Sequence, residues 1–301
     1  MIRGSPDAHR PPARATAPLR SVWRGGRNAI LLARNLLATP HPRPVFVLGN
    51  QKSGTSAIAA LLGLMTGLPT AVDLRREVGK QYYKRIVNGE RSFDSLVQRN
   101  RLDFSRAIVK EPNLTLFLDE LRARFPESRF LFVVREPHQN LRSILDRLAI
   151  RGDLPVLERQ HMTRVDPGFE LVLDGRWIGI DGGDHYIDRL CARWNRCVDV
   201  YQGARDQLRL VRYEDFQRSK LDCLESLAAE LGLPVRNDVR ASLDRPFQPP
   251  GRSDVDLRAF FGANYDRITA ACGERMACVG YPATGSAGAP NTDPLDPDIC
   301  I

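Results

Sequence analysis

The sequence predicts an α/β three-layer sandwich, in which a central parallel sheet is flanked by helices. Three observations point to it. Apolar runs of four to six residues recur along the chain, and each is followed by a longer stretch with helical periodicity. The runs are apolar throughout rather than alternating, as strands covered on both faces are. The most distinctive polar residues fall just after the runs, at the carboxyl ends of the strands, where such sheets bind ligands.

The elements follow in order. "VFVL" (45–48) is a buried strand, and "SAIAALLGLM" (56–65) is the helix after it. "AIVK" (107–110) leads to "LTLFLDELRARF" (114–125), and "RFLFVV" (129–134) leads to "PHQNLRSILDRLAI" (137–150). "LRLVRY" (208–213) precedes "KLDCLESLAAELG" (220–232). With 301 residues and 43% hydrophobic content the chain can bury a large core, and residues 41–283 read as one domain between two tails.

Charge is unevenly placed. The net charge is +8, yet residues 1–40 hold seven arginines against Asp7 alone, so the body is only mildly basic. It has no basic stripe interleaved with aromatics, which argues against a nucleic-acid groove. The first 40 residues read as a flexible basic arm ending in a short helix over 28–38; weak contact with an anionic membrane surface and an organelle leader are the alternatives. Residues 284–301 read as a flexible tail. The six cysteines lack metal-ligand spacing and read as reduced thiols, consistent with a cytoplasmic protein and no bound metal.

The first strand opens into "GNQKSGTS", where Gly49 and Gly54 keep the spacing of a nucleotide-binding phosphate loop. The fold class is therefore P-loop-like. Thr55, however, occupies the position of the usual lysine, and Lys52 lies before the second glycine. Only five of the 44 basic residues are lysines, so one inside this loop carries weight. Backbone N–H groups leading into a helix bind an anion, and Ser53, Thr55 and Ser56 add hydroxyls. A lysine before Gly54 loses the reach to a γ-phosphate, which suits one 5′-phosphate bearing a transferable group, without obligatory metal. A second anion grip is expected from Arg135 at a strand end and Ser143 on the next helix.

The pair "QKSGTS" and "REPHQNLRS", with "VRYEDF" and a closing "CGERMACVGYP", resembles the sulfotransferases that use 3′-phosphoadenosine 5′-phosphosulfate, over about residues 44–282. The likeness is to the bacterial and carbohydrate-modifying branches. It implies that Gly49, Gln51, Lys52, Ser53, Gly54, Thr55 and Ser56 hold the 5′-phosphosulfate, and Arg135 and Ser143 the 3′-phosphate. Tyr213 would lie near the nucleotide, Lys110 near the sulfuryl group, and Arg252 would close on the 3′-phosphate. The implied reaction is in-line attack of an acceptor hydroxyl or amine on sulfur, with Lys52 serving the oxygen of the leaving group.

Two positions depart from the small-phenol branch: Ala57 stands where an adenine-stacking tryptophan is usual, and Pro112 where a catalytic histidine is. The base is accordingly open among Glu77, Asp73 and His185. The acceptor is a saccharide, a lipid or a small metabolite, and the aromatics Trp177, Tyr186 and Trp194 are candidates for lining its cleft, although Trp194 also fits the core. The competing readings are a metal-dependent kinase or NTPase and an inactive nucleotide-binding scaffold.

Overall fold

The computed structural model describes residues 30–163, 165–179, 183–247 and 255–282. The chain divides into two units, Met1–Ala38 and Thr39–Ile301. Within the first, residues 30–37 form a helix (α1) on which Ile30, Leu36 and Leu37 are exposed. The rest of the basic arm, the tail from residue 283 and Arg252 lie outside the described residues.

The second unit begins with β1 (Val45–Gly49), α2 (Thr55–Thr66) and β2 (Thr70–Val72), then three short helices, α3 (Tyr82–Val87), α4 (Phe93–Arg99) and α5 (Arg101–Phe104). β3 (Ile108–Lys110) follows, then a 3-10 segment (Pro112–Phe117), α6 (Leu118–Arg124), β4 (Arg129–Val134) and α7 (Pro137–Leu148). α8 (Pro167–Leu173), α9 (Tyr186–Gly203), β5 (Leu208–Arg212), α10 (Tyr213–Arg218), α11 (Lys220–Glu230), α12 (Leu257–Phe261) and α13 (Asn264–Cys278) complete it. All strand pairs are parallel, in the order β2-β3-β1-β4-β5, with Val45 beside both Ile108 and Arg129.

Residue alternation along β1 divides the core. Phe46 and Leu48 face one layer with Phe130, Phe132 and the aromatic side chains of α9. Val45 and Val47 face the other with Leu131, Val133 and the apolar faces of α2 and α11. Phe46 stacks on Phe130 with ring centroids 5.6 Å apart, and each such buried ring contributes about 1.5–3 kcal/mol. The sandwich read from the sequence is the architecture found.

Two local differences matter for the site. β2 is three residues long, "TAV", too short to show a period, and it exists through its pairing of Thr70 with Ile108. The stretch 114–125 is not one helix. Its first turn is 3-10, started by the Glu111 carboxylate accepting the N–H of Asn113, and this turns Thr115 onto the end of β1.

The late motifs close the domain. The Arg212 guanidinium donates to the carbonyl of Gly280, and the Tyr281 hydroxyl donates to Glu214 Oε2 at 2.5 Å. Glu214 Oε1 accepts the N–H of Glu136, ahead of α7. The sequence-distant "REP", "RYED" and "GYP" segments thus meet at one edge of the ligand face. Among the described residues no helix is long and apolar enough to cross a membrane.

Candidate active site

The loop after β1 is shaped by two glycines. Gly49 has φ +137, and a Cβ there would lie 2.1 Å from the Val133 carbonyl oxygen of β4. Gly54 has φ +92, and a Cβ would fall 2.1 Å from the ring of Tyr213, the first residue of α10. Lys52 itself sits in the left-handed region, at φ 64, a conformation that L-residues with side chains adopt at a cost. Gly54 is the N-cap of α2 and no side chain caps that helix. Thr55 and Ser56 therefore do not act as caps, and the Gly54 carbonyl accepts the N–H groups of Ala57 and Ile58.

Cations surround this helix start. Burial, and then the positive charges of Arg147, Arg135 and Lys110, lower the Lys52 pKa below its ordinary 10.5. Arg135 donates from Nη1 to the Lys52 carbonyl at 3.3 Å, and its guanidinium lies 4.8 Å from the centre of the Tyr213 ring. Its Nε is buried without a hydrogen-bond partner, and burial lowers its pKa. Trp194 Nε1 donates to the Arg135 carbonyl at 2.9 Å, so this core side chain also fixes the strand end.

Gln51, Lys52, Gly54, Thr55, Ser56, Arg135, Ser143 and Tyr213 line one cleft of about 760 Å³, together with Arg147, Lys220 and Arg245. Gly49 and Ser53 lie beneath its floor, where Ser53 Oγ accepts from Asn140 Nδ2 at 3.0 Å.

Carboxylates line the opposite wall. Asp73, held at φ 66, accepts from Lys110 Nζ at 2.5 Å, and its N–H donates to the Lys110 carbonyl at 2.8 Å. Glu77 is buried; its Oε1 accepts from Arg99 Nε at 2.7 Å and from Asn100 Nδ2 at 2.9 Å, while Oε2 has no partner. Glu111, beside Lys110, accepts backbone N–H groups from Asn113 and Leu74. Burial, and next the charge of Asp73, raise its pKa above the ordinary 4.5. Tyr83 lies among these groups, and burial with the charges of Glu111, Glu77 and Asp73 pushes its pKa well above 10.

His185, expected as a candidate base, is not in this cleft. Its Nδ1 accepts the N–H of Ile187 at 3.3 Å and begins α9, and burial pulls its pKa down. Trp177, Tyr186 and Trp194 do not line the cleft either: all three are buried in the core. The wall they were expected to form comes instead from residues 73–83, 110–113 and 166–172.

A buried amide network under the loop went unrecognised in the sequence. Asn50 Nδ2 donates to Asn140 Oδ1 at 2.9 Å, Asn140 Nδ2 donates to the Gln51 carbonyl at 2.9 Å, and Gln51 Nε2 donates to Asn113 Oδ1 at 2.9 Å. Arg193 of α9, fully buried, donates to Asn50, Gln51 and Asn113. Thr115 Oγ1 accepts the Gly49 N–H at 2.8 Å and lies 3.1 Å from the Gly49 carbonyl, as its donor. Three asparagines flanking the motifs were a visible signal; nothing local marks Arg193.

No protein-family model matches the sequence, and no curated protein matches it. Among solved structures the chain is similar to the sulfotransferase STF9 from Mycobacterium avium, at 13% identity and TM-score 0.50, over 83% of this chain and 79% of that one. It is also similar to the sulfotransferase STF1 from Mycobacterium tuberculosis H37Rv (17% identity, TM-score 0.46, 86% and 81% covered). A third is a sulfotransferase from Alicyclobacillus acidocaldarius (18% identity, TM-score 0.44, 79% and 96% covered). At such identity the likeness to STF9 speaks for the fold: this chain has the sulfotransferase fold.

Proposed function

We propose that the protein is a sulfotransferase using 3′-phosphoadenosine 5′-phosphosulfate, with a hydroxyl or amine of a saccharide, lipid or small metabolite as acceptor. The observation that carries this reading is the convergence of Lys52, Arg135, Arg147 and Lys110 around an uncapped helix start, close enough to depress the Lys52 pKa. Like charges gathered at one helix start favour an anionic ligand. The buried, unpartnered Nε of Arg135 fits such a ligand.

When bound, the nucleotide supplies the sulfuryl group that passes to the acceptor. The residues of this chain divide the remaining work. The N–H groups of loop 51–56 and Lys52 hold the 5′-phosphosulfate end, and Lys52 offsets charge at the oxygen that leaves sulfur. Arg135 and Ser143 hold the 3′-phosphate, with the guanidinium steadied on Tyr213. Lys110, oriented by Asp73, presents a second cation at the strand end.

The proton of the acceptor nucleophile goes to a carboxylate of the facing wall, Glu111 or Glu77, and burial raises the pKa of the first above the ordinary 4.5. The metal-independent character of the reading rests on Lys52, which occupies the place of charge neutralisation.

The test is a thermal-shift titration with adenosine 3′,5′-bisphosphate, beside Mg-ATP and with EDTA. Stabilisation by the bisphosphate that EDTA leaves intact is expected, and stabilisation by Mg-ATP alone overturns the reading.

A further inference from the structure

Arg193 is the most deeply buried cation in the described structure that has no acidic partner. Its guanidinium is fully inaccessible, on the face of α9 turned to the sheet. Nε donates to Asn50 Oδ1 at 3.2 Å and to Gln51 Oε1 at 3.1 Å, and Nη2 donates to Gln51 Oε1 and Asn113 Oδ1, each at 2.9 Å. Nη1 has no partner at all. Every acceptor is a neutral amide, and among the described residues no carboxylate is paired with it. Glu111 is near enough for its charge to be felt but makes no bond with it.

A guanidinium removed from water and bonded only to amides carries its full desolvation cost, without the Coulombic return of an ion pair. Burial accordingly lowers its pKa. Its bonds go to the two residues directly before Lys52 and to the residue that follows Glu111 and Pro112. The charge therefore sits immediately behind the anion cradle, and the same side chain ties the cradle to the wall that carries Lys110 and Glu111.

We propose that Arg193 is a positioning residue of the anion site: a buried cation whose countercharge is the ligand held by loop 49–56, acting through Asn50, Gln51 and Asn113 without touching it. This inference rests on the anion-binding reading of the loop and goes beyond it, because it assigns the electrostatics of the site to a side chain that lines no part of the cleft. The field of a fixed charge acts through a dry, low-dielectric floor, where water cannot screen it.

The test separates charge from bracing. Arg193→Gln keeps amide donors and removes the charge; Arg193→Lys keeps the charge with poorer geometry. Calorimetric titration with adenosine 3′,5′-bisphosphate is expected to show binding weakened about tenfold by Arg193→Gln and much less by Arg193→Lys. Equal weakening by both variants, or wild-type affinity in Arg193→Gln, overturns the inference.

Asn113→Asp covers the case in which Arg193→Gln fails to fold. It gives Arg193 an ion-pair partner in place, so the free protein should melt higher while binding the bisphosphate more weakly. An unchanged or lower melting temperature counts against an uncompensated charge.

Inorganic phosphate is the second probe. A wild type that responds to phosphate but not to the bisphosphate, with the response lost in Arg193→Gln, would sink the nucleotide reading and leave the inference standing. No response to either anion would overturn both.

Discussion

The ring of Tyr213 lies on Gly54 so closely that a Cβ at position 54 would fall 2.1 Å from it. The contact joins the first loop of the sheet to the helix after its last strand, and the Arg135 guanidinium lies 4.8 Å from the centre of the same ring. Gly54→Ala should displace Tyr213 and strain the φ +92 backbone, costing about 1–3 kcal/mol. Bisphosphate affinity should fall with it. In a Tyr213→Ala background part of the stability loss should vanish, since only the steric share is shared; denaturation of the four proteins of this cycle measures it.

Lys52→Ala should lower kcat by about a hundredfold or more, the scale of losing a preorganised cation at a leaving oxygen. Turnover within a few-fold of the parent would remove Lys52 from that role.

The depressed pKa of Lys52 sets a pH effect with a definite sign. An anionic ligand favours the protonated amine, so on the alkaline side bisphosphate affinity should fall as pH rises through a value below 10.5. Lys52→Arg should move that alkaline loss upward. The free protein behaves oppositely: the unfolded chain binds the proton more tightly there, so stability rises with pH over the same window.

Glu111 gives the acid side. Its pKa is raised, so activity that depends on its carboxylate should be lost as pH falls through a midpoint above 4.5. Its stability contribution has the reverse sense from that of an ion-paired carboxylate: it is present while the group is protonated and is lost as pH rises through the raised value. Glu111→Gln should remove both pH dependences, and Glu77→Gln should leave the stability one in place. A pH–rate profile and melting curves on each variant check this.

Thr115→Val keeps shape and removes the hydroxyl that bonds the Gly49 N–H and carbonyl. Leaving that buried N–H unpaired should cost about 1–3 kcal/mol. Because Gly49 begins the cradle, bisphosphate binding should weaken too, and a melting curve with a titration checks both.

The parts of this design legible in the sequence were those encoded by neighbours in the chain. "RFLFVV" is β4 from first to last residue, because a run buried on both faces has no alternative. Lys52, Arg135, Ser143 and Tyr213 were visible because each follows a strand, and strand ends converge in a parallel sheet. β2 was hidden because three residues carry no period, and its existence is a pairing with β3. His185 misled because a histidine among aspartates looks the same in sequence whether it begins a helix or faces a cleft. Arg193 was invisible for a related reason: on an amphipathic helix an arginine reads as solvent-facing, and only the packing of α9 against the sheet turns it inward.

The floor beneath the cradle is built from Asn50, Gln51, Asn113 and Asn140, with Thr115 beside them. None of these side chains ionises in the range proteins encounter, and a guanidinium gives up its proton only under strongly alkaline conditions. The side-chain bonds of the platform are therefore indifferent to pH, and acidification reaches it where the Glu111 carboxylate accepts the Asn113 N–H. A carboxylate-based floor would have loosened on acidification and confounded every titration of the site. Here a pH profile reads Glu111 and the groups of the walls against amides that do not titrate.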